Sequence, residues 1–164
     1  MLKQLKAIIL GAGLCAVQAQ AAELMVSKAY AKANIPGADN SSAYMELMNH
    51  SKADVTLVDV KTTVAKKAEL HTHEVVNDRM RMRQVPSVTV PAMGKLSFAP
   101  GGYHIMLIGL IERLRHEEQT TLTLVYSDGT EQTVTYDIID ARKQKKMKSD
   151  EHSGHGEHKM KHAH

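Results

Sequence analysis

From Leu24 onward apolar and polar residues alternate with a period near two, in short runs broken by turn residues, which is the pattern of half-buried strands. The runs are Leu24 to Ala31, Ser42 to Met48, Val55 to Thr63, Ala68 to Glu74, Met80 to Gln84, Gly94 to Phe98, His104 to Leu107, Thr120 to Tyr126 and Glu131 to Ile138. Pro36-Gly37, Pro100-Gly101-Gly102 and Ser127-Asp128-Gly129-Thr130 supply turn chemistry between them, the last as a hairpin. Only Gly109 to His116 shows the spacing of a helical turn. Many short strands at this interval predict an all-β domain, a Greek-key sandwich or barrel.

The pattern changes at both ends. Lys3 and Lys6 precede an apolar run from Ala7 to Val17, and Ala19-Gln20-Ala21 offers the small residues of a signal-peptidase site. Residues 1–21 are therefore expected to be a cleaved export signal, with the mature protein periplasmic. The run is shorter than the roughly 20 residues of a permanent span, so no stable membrane anchor is expected. Cys15, the chain's one cysteine, lies inside this segment, and the bulky Leu14 before it departs from the small residue that lipidation requires. Residues 22–140 read as the β-domain. Residues 141–164 are nearly devoid of apolar side chains and are expected to be a disordered tail.

Charge follows the same division. Residues 22–140 hold 12 Lys and Arg against 15 Asp and Glu, whereas the tail holds 7 against 3. The domain thus has no basic excess that would argue for nucleic acid. With Cys15 removed, the exported chain can form no disulfide and perform no thiol exchange. Neither G-x-S-x-G, H-E-x-x-H nor a phosphate loop is present, so an enzyme of those classes lacks its residues. A type 1 copper site needs a Cys thiolate and is excluded with it.

What the chain does have is ten Met and ten His. Thioethers and neutral imidazoles together suit Cu(I), a soft ion, whereas zinc sites favour His with Cys or carboxylate. Four of these residues, His71, Met82, His104 and Met106, form the pattern H-x10-M-x21-H-x-M. His104 and Met106, two apart on a strand, project to the same face with Cα atoms roughly 6.6 Å apart. A hairpin folding about Val76 and Asn77 would place His71 opposite Met82 and His73 opposite Met80, leaving the second pair as auxiliary donors. His50 and His116 fall in loops and read as surface histidines, and Asp78 as a residue closing the hairpin.

The segments Glu69-Leu-His-Thr-His73, Met80-Arg-Met-Arg83, Val90-Pro-Ala92 and Pro100-Gly-Gly-Tyr-His-Ile-Met-Leu-Ile-Gly-Leu110 resemble the periplasmic copper chaperone family called PCuAC, over roughly residues 24–138. Tyr30 stands where many members carry Trp. The resemblance implies a cupredoxin-like β-sandwich and, by position, gives ligand roles for Cu(I) to His71, Met82, His104 and Met106. It also implies delivery of copper to an acceptor such as the CuA centre of cytochrome c oxidase or another copper chaperone.

The tail adds a second donor set: Met147, His152, His155, His158, Met160, His162 and His164. Imidazoles at three-residue spacing on a flexible chain can wrap Cu(II), or gather additional Cu(I), without fixing a geometry. The rival to a chaperone is a periplasmic copper or zinc buffering protein, which would use the same ligands with no dedicated acceptor. A β-sandwich adhesion module with incidental histidines would have no stoichiometric Cu(I) site.

Overall fold

Ten strands and no helix make up residues 24–140, the part of the chain that the computed structural model describes. They are β1 (Leu24–Lys32), β2 (Asn40–Asn49), β3 (Val55–Thr62), β4 (Ala65–Val76), β5 (Arg79–Gln84), β6 (Val88–Val90), β7 (Lys95–Phe98), β8 (His104–Leu110), β9 (Gln119–Tyr126) and β10 (Glu131–Ile139). With no helix among the described residues, none is long and apolar enough to cross a membrane. The expected export signal and the expected disordered tail both lie outside the described residues.

All nine predicted strands are present, and a tenth, β6, sits between Pro86 and Pro91 where the flanking prolines hide a three-residue run. The helical turn expected over Gly109 to His116 is corrected. Strand β8 continues through Leu110, and from there the chain runs through bends and turns to β9. Gly109 has a φ of +66°, outside right-handed helical space, and Leu114 is buried as a plug whose amide donates to Asn34 Oδ1. The apolar spacing of this segment reflects two separate anchors, one on a strand and one in a loop.

The strands pair in the order β5, β4, β8, β2, β1, β10, β9, β3, β6, with β7 joined to the second half of β2. Strands β1 and β10 run parallel and every other pair is antiparallel. A bulge at Ser27 to Tyr30, where Lys28 takes a φ of 52°, and another at Leu57 to Asp59 bend the sheet around one core. Alternate residues of nine strands supply that core, among them Leu47, Leu57, Ile105, Leu107, Leu122 and Leu124, none of which reaches solvent. Strand β5 supplies nothing to it: all six of its residues are exposed, at the edge of the sheet.

Candidate metal centre

Strand β4 lies between β5 and β8, and its alternation separates two faces. Leu70 pairs with Ile105, and both are buried in the core. One residue on, His71 pairs with His104 and Glu69 with Met106, so these four side chains share the opposite face. Strand β5 completes that face, but in a register different from the expected one. His73 faces Met82, Val75 faces Met80, and His71 faces Gln84.

The expected pairing of His71 with Met82 and of His73 with Met80 is thereby corrected, and the cause is the turn. Asn77 and Asp78 both take left-handed φ values, 51° and 58°, as a two-residue turn of type I′ requires. Asn and Asp tolerate this conformation, whereas the β-branched Val76 does not. The hairpin therefore folds one residue later than expected, which moves every cross-strand partner by two.

Met82 remains on the site face as the diagonal neighbour of His71, at roughly 7–8 Å between backbones, and Met106 is its diagonal neighbour on the other side. The two thioethers thus flank β4 and must reach over it to meet. Met82 is half exposed, while Met80 is 67% exposed and sits with Val75 at the hairpin tip, farther from the histidines. Met106 is held closer in, with Ser42 Oγ donating to its sulfur at 3.5 Å.

His104 is only 1% exposed. Its Nδ1 lies 3.0 Å from the Gly102 carbonyl, which can only accept, so Nδ1 carries the proton and Nε2 keeps a lone pair. That Nε2 is buried and has no partner. Pro100 and Gly101 turn the chain so that Gly102 can make this contact: the Gly102 amide returns to the Ala99 carbonyl, and Gly101 has a φ of +88°. Burial lowers the His104 pKa; the Gly102 carbonyl opposes this, and nearby His73, His71 and Lys32 reinforce it. The ring is therefore neutral and able to bind a cation.

His71 is the complementary case. Its Nε2 lies 2.9 Å from Glu69 Oε2, and its Nδ1 is buried without a partner. The His71 and His104 rings are 5.8 Å apart between centroids; His73 is nearer to His104, at 4.8 Å, and its Nδ1 is 3.4 Å from the same Gly102 carbonyl. Tyr44, its ring 6.4 Å from that of His104, lies beside the site with Lys32 Nζ over it.

Two buried imidazole nitrogens without partners and two thioethers therefore share one face. The donors gathered here are mixed, two imidazoles and two thioethers, and among the described residues no three His, Cys, Asp or Glu side chains are spaced to hold a metal. Sequence reasoning missed Glu69, Ser42 and Tyr44. Glu69 was within reach, because two residues before His71 on a strand is the same face. The tail donors, from Met147 to His164, lie outside the described residues.

Residues 24–138 match the family described as "Putative lipoprotein LpqE-like". A protein of Leifsonia xyli subsp. xyli (strain CTCB07), "Putative lipoprotein Lxx21020", is 32% identical over 144 residues, covering 82% of this chain and 86% of its own. DR1885 from Deinococcus radiodurans, in a structure described as CuI-DR1885, is 30% identical with a TM-score of 0.59 over 77% of this chain and 84% of that one. Its apo form is 31% identical with the same TM-score, over 85% and 97% of the two chains. The copper-bound PCuAC domain from PmoF2 has a TM-score of 0.61 at 18% identity, over 72% of this chain and 93% of that domain, a likeness of fold.

Proposed function

Given that this chain belongs to the LpqE-like family and has the fold of the PCuAC domains, we propose that it is a periplasmic copper chaperone. It carries Cu(I) on His71, Met82, His104 and Met106 and releases it to an acceptor. The acceptor in this reading is the CuA centre of cytochrome c oxidase or another copper chaperone, and the protein is a carrier with no catalytic step of its own.

The observation that carries the reading is the pair of buried, partnerless nitrogens, His71 Nδ1 and His104 Nε2, beside thioethers on one face. A buried polar atom without a partner is costly unless something satisfies it, and a soft monovalent ion satisfies both at once. The Cu(I) form of DR1885 supports the same cargo. Two imidazoles and two thioethers are all neutral, so the bound ion keeps its positive charge and a thiolate-rich acceptor can draw it off. Thioethers also cannot oxidise to disulfides, which suits an oxidising compartment.

Two lines support export. The sequence matches proteins named as lipoproteins, and residues 1–21 have the form of a cleavable signal. Because Leu14 precedes Cys15, we place the mature chain free in the periplasm, starting after Ala21, rather than lipid-anchored. In this reading the His and Met residues of the tail collect copper, as Cu(II) or Cu(I), and feed the structured face.

The test is an anaerobic Cu(I) competition titration on the chain truncated after Ala141, which keeps all ten strands. The same chain with Met82→Leu and Met106→Leu provides the comparison. One tight equivalent that the double variant loses supports the site; binding that survives both swaps sinks it. Transfer to a CuA-domain acceptor, measured against release to a chelator of equal affinity, separates a chaperone from a copper buffer.

A further inference from the structure

The copper reading leaves Glu69, an ionisable side chain of the site face, without a role. Glu69 pairs across the ladder with Met106 and precedes His71 by two residues, so its carboxylate is on the site face, at a side-chain exposure of 22%. The contact it makes there is with His71, 2.9 Å from Oε2 to Nε2. We infer that Glu69 is a positioning residue: it holds His71 with the proton on Nε2, so that His71 offers Nδ1 and His104 offers Nε2 to the same ion. This rests on the copper reading of the face.

A neutral imidazole has one N–H and one lone pair. An ionised carboxylate can only accept, so the nitrogen facing Glu69 carries the hydrogen and the lone pair falls on Nδ1. That atom is buried and partnerless. On the neighbouring strand the arrangement is reversed, with the Gly102 carbonyl taking the hydrogen of His104 Nδ1 and leaving the lone pair on a buried Nε2. Two separate acceptors, each on a different ring nitrogen, leave one unsatisfied lone pair on each ring.

The directly paired residues of β4 and β8 explain why the nitrogens differ. An imidazole that reaches its ion through Nδ1 brings it close to its own backbone, and one that uses Nε2 reaches a ring's width farther. Antiparallel neighbours using the same nitrogen would meet an ion midway between them. Using different nitrogens displaces the ion toward β4, the strand that the two thioethers flank.

The test uses the full chain with 15N-labelled histidine. Long-range proton–nitrogen spectra of the copper-free protein report which nitrogen of each ring is protonated. The expected result is Nε2–H for His71 and Nδ1–H for His104, with anaerobic Cu(I) shifting His71 Nδ1 and His104 Nε2. Glu69→Gln keeps an acceptor and should keep the tautomer, with Cu(I) affinity within a few-fold. Glu69→Leu should mix the His71 tautomers and weaken Cu(I) binding on the order of 10- to 100-fold, read from the His104 signals during competition with a chelator.

Nδ1–H at His71 in the wild-type chain overturns the inference, as does a Glu69→Leu chain with tautomer and affinity unchanged. The tautomer is read without copper, so it is judged apart from the cargo. Copper that shifts neither ring overturns the copper reading and the metal half of this inference together.

Discussion

His73 stands directly across the β4–β5 ladder from Met82, and Met80 faces Val75 at the exposed tip. The two methionines of β5 share a face but differ in what they can reach. Met82 is next to the histidines, whereas Met80 is one pleat farther out. Met82→Leu is expected to weaken Cu(I) binding on the order of tenfold or more, about 1.4 kcal/mol, because it removes a soft donor. Met80→Leu should change it little. Leu and Met are close in volume and both positions are exposed, so neither swap should move the melting temperature appreciably. Parallel Cu(I) titrations and thermal melts check this, and equal losses from the two variants would mean that the tip also takes part in binding.

The turn that sets this register makes its own prediction. Asp78 occupies left-handed space at φ 58°, where glycine has no Cβ penalty and where Asn-Gly is the favoured pair. Asp78→Gly is therefore expected to stabilise the chain by up to about 1 kcal/mol, with the hairpin register and the Cu(I) affinity unchanged. Urea unfolding provides the measurement. A destabilised variant would mean that Asp78 holds the turn through its side chain.

That turn also shows where the sequence was legible. Alternation from Leu24 to Ile138 was enough to locate nine strands, because all of them but β5 have one face in a core and a slip of one residue would expose it. Register within β4 and β5 was less constrained. Strand β5 buries nothing, so its hydrophobic pattern does not choose between registers, and only the turn does. Asn77-Asp78 carried that information as turn chemistry and outweighs a fold about Val76. The four-residue His and Met pattern was legible as spacing, and the structure brings all four residues to one face. The partners that orient His71 and His104 were not legible in the same way. The Gly102 carbonyl is a backbone atom with no side-chain signature, and the Tyr44 contact depends on a strand, β2, that lies 60 residues earlier in the chain.

Gly101 ties that carbonyl to the fold. Its φ of +88° is strained for any L-residue with a Cβ, although a Cβ there would meet nothing within 4 Å. The cost of Gly101→Ala is therefore conformational, about 1–2 kcal/mol, with no packing contribution. Asn tolerates left-handed backbone better than Ala, so Gly101→Asn should cost less. Chemical denaturation of the two variants tests the order. If Ala and Asn proved equally costly, the loss would have to come from something other than backbone strain.

The burial of His104 gives the copper-free protein an acid sensitivity whose sign can be worked out. Its folded pKa is depressed, chiefly by burial, below the roughly 6.5 of an unfolded histidine. Between those two values the unfolded chain binds a proton that the folded chain does not, so folding stability falls as the pH falls. The contribution of the neutral ring is fully present above about pH 6.5 and is lost as pH drops through the folded value. A buried His104 that gains a proton also has nowhere to place it, because Nδ1 is already committed to Gly102 and Nε2 has no acceptor. Melting temperatures of the copper-free chain should therefore decline between pH 7.5 and 5.5, and His104→Gln should flatten that decline even though it lowers stability at neutral pH. The difference between the two slopes reports this ring together with its coupling to His71 and His73, which lie beside it. Parallel slopes would show that its burial does not govern the acid response.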